Sequence, residues 1–231
     1  MTDSLRIVLS GSIPASVSVP VSGVHQVTVH LAFGTRNELD SLKPLFKEQH
    51  ARAREQLVAS LTGMTSRQAA ARRGRWNKDK ADLRWRGQLL DSLDALVTAG
   101  LCKTLEERGW NHPWNLLPGP AIAPAGRTCG SPGSGWPEEI SVWLPADLVH
   151  TVRAACWHTS KEGRDALEKW HQRYPKARPN QPLRTRCDAD ALAEYRELCA
   201  KINHRGDVWR DAVASGIGIV RTTLDPATGT G

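Results

Sequence analysis

With 231 residues, 40% of them hydrophobic and 24% charged, the chain has the composition of one large or two small globular domains. Its apolar runs are only a few residues long, which excludes the roughly 20-residue apolar helix that crosses a bilayer. The net charge of +7 excludes a strongly acidic surface and favours polyanionic partners; Arg outnumbers Lys 22 to 9, and the guanidinium fork suits phosphates and base edges.

The chain opens with MTDSLRIVLSGSIPAS, where a short apolar patch follows an acidic Asp3 and no basic run precedes it. This reads as a strand rather than a secretory leader, so a cytoplasmic protein is expected. Leu5–Leu9 and Ser16–Phe33 have strand character. Val17, Val19 and Val21 alternate with polar or Pro positions, and after Ser22-Gly23 the alternation resumes at Val27, Val29, Leu31 and Phe33. Period two broken by Ser-Gly predicts a β-hairpin or small antiparallel sheet, with Pro20 on an edge.

From Asn37 to about Arg108 the pattern turns helical. Leu57, Leu61 and Met64 keep helical spacing, as do Leu83, Leu90, Leu93, Val97 and Leu101, and Gly100 is expected to cap the second run. Residues 41–110 hold fourteen basic and eight acidic side chains, a net of +6 that accounts for nearly all of the chain's charge. Within them, Arg67–Arg86 reads RQAAARRGRWNKDKADLRWR. Arg67, Arg72, Arg73, Arg75, Lys78, Lys80, Arg84 and Arg86 can neutralise phosphates, and the interleaved Trp76 and Trp85 can stack on bases. The competing reading is a solvated helix face whose tryptophans turn inward.

Leu117–Glu138 is rich in Pro and Gly without periodicity and reads as a linker or long surface loop. The expected organisation is therefore residues 1–116 (strands plus the basic helical region), linker 117–138, a mostly helical domain 139–222, and a disordered tail 223–231. In the third part, Ile140–Leu144 reads as a strand and Pro145 to about Trp157 as a helix, with Asp147 complementing its dipole. Thr159–Trp170 and Asp188–Asn203 read as helices, and after an interruption at Gly206, Asp207–Ser215 reads as a short last one. The fold class expected is α+β, mainly α-helical, with an N-terminal β-hairpin or small antiparallel sheet and a short strand before the C-terminal helices.

Two stretches resemble DNA-binding families. Ile140-Ser141-Val142-Trp143-Leu144-Pro145-Ala146-Asp147-Leu148, followed by Val149–Ala155, resembles the start of a ribbon-helix-helix protein, and the element would cover residues 140–170. In that family two chains pair their short strands into a ribbon that enters the major groove, which implies a homodimer. Ser141 and Trp143 would then face the bases, although Trp143 and Glu139 depart from the polar and basic residues usual there. The family's second helix would begin at Thr159–Leu167 or at Gly206–Val213. Thr65–Gly74 resembles the middle of a helix-turn-helix, with Ala70 as the small crossing residue and Gly74 as the turn, although Arg73 stands where that family buries an aliphatic residue.

Other patterns are weaker. His150 and Arg153 form an HxxR with Tyr174 downstream, as in tyrosine recombinases, but the flanking sequence is missing. There is no P-loop, HExxH, GxSxG or helix-opening GxGxxG. Cys187, Cys199 and His204 match no metal-ligand spacing, and the five cysteines read as partly buried thiols. Most of the nine tryptophans read as core anchors. No catalytic, metal or cofactor residue is assigned. The expectation is a protein that binds nucleic acid, duplex DNA first, with no membrane partner, acting as a transcriptional regulator or accessory factor of a mobile element or plasmid. Two alternatives stand beside it: a nuclease or strand-transfer enzyme, and a non-enzymatic interaction protein of a mobile element.

Overall fold

The structure, a computed structural model, describes residues 23–115, 117, 135–175, 177 and 189–224. The strands expected at Leu5–Leu9 and Ser16–Val21, Cys129, Cys187 and residues 225–231 of the tail lie outside these residues, as does most of the linker, whereas Thr223 and Leu224 are helical. The described residues are mainly α-helical with one two-stranded antiparallel sheet, the α+β class expected.

Strand β1 spans Val24–Leu31 and β2 spans Glu138–Pro145, paired from Val24 opposite Pro145 to Leu31 opposite Glu138. Alternation gives the sheet two faces. Val29, Leu31, Ile140, Val142 and Leu144 are buried on one; Gln26, Thr28, His30, Glu139, Ser141 and Trp143 are exposed on the other. β1 ends before Phe33, which is 86% exposed rather than part of the alternation. The reason is tertiary: the Glu138 carboxylate accepts the Gly34 and Arg36 backbone N–H groups at 2.8 and 2.7 Å, turning the chain into helix α1, Thr35–Ser41.

Helices α2 (Lys43–Leu61), α3 (Ser66–Trp85) and α4 (Leu93–Glu107) follow. After β2 come α5 (Ala146–Thr159), α6 (Lys161–Arg173), α7 (Ala189–Ala200) and α8 (Arg205–Leu224). The main core does not divide at residues 117–138. Leu96, Val97, Leu101 and Leu105 of α4 pack with Val208, Ala212, Val213, Ile217 and Val220 of α8, under the inner face of the sheet and Val149 and Val152 of α5. Trp170 anchors a satellite cluster with Tyr195 and Cys199, its Nε1 donating to the Ala191 carbonyl at 3.0 Å.

Two glycines let α4 and α8 approach. A Cβ on Gly100 would lie 1.9 Å from the Ala212 carbonyl oxygen, and one on Gly216 would lie 2.6 Å from Leu96 Oand Cδ2. Gly100 is therefore a contact notch inside α4, not a cap. The same packing corrects the reading of the C-terminus. Gly206, Gly216 and Gly218 all lie within α8, which runs 20 residues instead of stopping at Ser215. Glycine costs a helix interior about 1 kcal/mol, which the buried α4–α8 seam offsets.

Candidate nucleic-acid interface

Helices α2 and α3 form a hairpin arm. Gly63, at φ 78°, makes the left-handed turn between them, and a capping box starts α3: Thr65 accepts from the Gln68 backbone while the Gln68 side chain accepts the Thr65 N–H at 2.9 Å. No residue of α3 is buried. Its half-buried positions include Ala69, Arg72, Trp76, Lys80 and Leu83, which recur every three or four residues and mark one inward stripe. Gly74 is helical and makes no turn, so the stretch resembling a helix-turn-helix is one continuous helix. Arg72 and Trp76, on either side of Gly74, are both half-buried on the inward stripe, which therefore runs through it unbroken.

An ion cluster fixes the arm to the core. The Asp91 side chain, in the turn between α3 and α4, is 0% exposed. Arg84 donates to it twice, at 2.6 and 2.9 Å. Lys80 Nζ lies 2.8 Å from Asp91 Oδ2, and His50 Nδ1 lies 3.2 Å from that oxygen. Burial alone would raise the Asp91 pKa; the hydrogen bonds from Arg84, Lys80 and His50, with the Arg84 charge, overcome it and hold the group at about 2. One carboxylate thus ties α2 and α3 to the start of α4.

The cluster divides the expected binding residues. Lys80 and Arg84 serve Asp91. Arg72 lies 3.4 Å from Asp79. Trp76 and Trp85 are half-buried, Trp76 within the inward stripe. Arg67, Arg73, Arg75, Lys78 and Arg86 are exposed and make no ion pair among the described residues. Arg67, Arg75 and Lys78 fall on one outward side of α3 and Arg86, its C-cap, continues it, at spacings of eight, three and eight residues, with the exposed Asp82 between Lys78 and Arg86. The stripe extends about 28 Å at 1.5 Å per residue.

Ser141 and Trp143 belong to a different surface, the outer face of the sheet, where they stand opposite Thr28 and Gln26. Trp143 is 51% exposed. The strand that the ribbon-helix-helix resemblance would pair with a copy of itself is paired here with β1. The Trp143 backbone N–H points away from β1 and donates to Asp94 of α4 at 3.0 Å, which covers that edge of β2 locally.

His150 and Arg153 are exposed on α5, whereas Tyr174 packs on Trp170 with ring centroids 5.0 Å apart. Among the described residues no three His, Cys, Asp or Glu side chains gather as a metal-binding group. Burial pushes the Cys102 and Cys156 thiols up to about 11, so neither is a thiolate near neutral pH. Cys199 is disulfide-bonded, which corrects the reading of every cysteine as a thiol. Among the described residues no helix is long and apolar enough to cross a membrane.

Sequence reasoning missed the Asp91 cluster and the basic side of α2. The second was visible as the spacing Lys43, Lys47, His50, Arg54; the first joins residues 41 positions apart and leaves no local signal. No family model, curated protein or solved structure matches the chain.

Proposed function

We propose that the protein binds nucleic acid, duplex DNA first, through the outward side of α3, and acts as a regulator or accessory factor of a mobile element or plasmid rather than as a catalyst. One observation supports the binding reading above the rest. Arg67, Arg75, Lys78 and Arg86 stand exposed and without acidic partners along a helix that buries none of its side chains. A helix whose inward stripe is only half-buried gains little from packing. Four cations and one acid, Asp82, share that side, and their excess of +3 raises the local positive potential. A phosphate backbone neutralises that excess and releases its own counterions. Ser141 and Trp143 on the sheet, with Gln26 and Thr28 opposite them, offer a second polar-and-aromatic contact surface within the same reading.

The test is a salt series of duplex binding by the wild type and the Arg67→Ala/Arg75→Ala/Lys78→Ala/Arg86→Ala variant. Removing four phosphate contacts should flatten the log–log salt slope by up to about 3.6, at about 0.9 per contact. Equal affinity and slope in both proteins would remove α3 from the interface.

A further inference from the structure

An open groove of about 920 Å³ runs beside α2, lined by Lys43, Lys47, His50, Arg54 and Val58 and bordered by Asp91. The four basic positions stand at i, i+4, i+7 and i+11 and so form one stripe, about 16 Å long at 1.5 Å per residue. On α3, Arg73, Asn77, Lys80 and Arg84 repeat that spacing. The two stripes meet where Lys80 Nζ lies 3.2 Å from His50 Nδ1. Residues two apart on a helix point about 200° apart, so Lys78 and its stripe face away from the side that carries Lys80.

The groove's charge is not cancelled from within. Asp91 is inaccessible and already saturated by Arg84, Lys80 and His50. Glu55 is the groove's accessible acid, and Lys43 is engaged by Asp40 at 2.8 Å. Lys47 and Arg54 are exposed and make no ion pair among the described residues. Cations spread along an open channel suit a linear polyanion better than a compact one, which they could not surround. A lipid surface would require an apolar stripe to enter it. Val58, at 58%, is the large exposed apolar side chain here.

We infer that the α2 groove is a second phosphodiester-binding face, which holds nucleic-acid backbone on a side of the arm separate from the outward stripe of α3. The inference rests on the reading that the protein binds nucleic acid. Its test compares Lys47→Gln/Arg54→Gln with the four-residue α3 variant and with both sets combined. Each is titrated with a labelled duplex over a salt series, beside anionic phospholipid vesicles.

The α2 pair should flatten the salt slope by up to about 1.8, and the combined variant should lose both increments. Amide hydrogen exchange in residues 43–58 of the wild type should slow when duplex is added, a readout independent of how the variants fold. A wild-type slope in the α2 pair, with exchange at 43–58 unchanged and the α3 variant flattened, overturns the second face and leaves the binding reading standing. No duplex binding by the wild type at low salt overturns both. Loss of vesicle binding in the α2 pair with an unaltered duplex slope also overturns the inference and assigns the groove to a membrane surface.

Discussion

Helices α3 and α4 are neighbours in sequence and opposites in construction. The 20 residues of α3 bury none of their side chains, whereas the 15 of α4 bury nine. Helix α4 sits between α8 and the sheet and is held by apolar area removed from water. Helix α3 is held by a half-buried stripe, a capping box and a single ionic clamp at Asp91. Both are stable helices, but only one is part of the core. The other keeps its charge in solvent, where a partner can reach it.

The contrast can be broken first at the α4–α8 notch. Gly100→Ala puts a methyl group where the Ala212 carbonyl oxygen stands, and backbone cannot swing aside as a flexible side chain can. Overpacking of this kind costs about 3 kcal/mol or more, so thermal melting should fall by about 10 °C. A variant that melts like the wild type would mean that the two helices do not pack this closely.

A smaller loss is expected at the clamp. Asp91→Asn removes a carboxylate held at about 2 against its ordinary 3.8, a difference equivalent to about 2 kcal/mol. Because the folded pKa is the lower one, this contribution is complete above pH 3.8 and fades as pH falls through about 2. The stability gap between wild type and variant, read from denaturant melts, should therefore be widest near neutral pH and close in acid. Hydrogen exchange in α3 should quicken in the variant while α4 stays protected. Equal quickening in both helices would show that the arm and the core unfold together.

The smallest effect belongs to the outward stripe. Arg75→Ala/Lys78→Ala should change stability by no more than about 0.5 kcal/mol, because neither side chain has an ion-pair partner among the described residues to lose. A melting loss of several degrees would place these residues in the architecture and weaken the case for reserving them to a ligand.

Much of this was legible locally. Alternation at Val27, Val29 and Leu31 and at Ile140, Val142 and Leu144 marked both strands and their buried faces. Arg67–Arg86 stood out as the cationic stretch. The interface was legible only in part, because charge along a sequence does not say which charges are already spent. Lys80 and Arg84 looked equivalent to Lys78 and Arg86 until Asp91 was seen to take them.

The sequence by itself determined which stretches are helical or extended and where the positive charge gathers, since periodicity and composition act over a few residues. Tertiary structure alone decided three other things. It paired β1 with β2 across more than a hundred residues, with Glu138 fastened to Gly34 at a separation of 104. It made Gly100 a contact with Ala212 and Gly216 instead of a helix cap. It buried Asp91 beneath Arg84 and Lys80 and so separated clamp from candidate interface. Each of these is a meeting of distant residues whose energy comes from close packing or from charge shielded from water, and neither is expressed until the chain has folded.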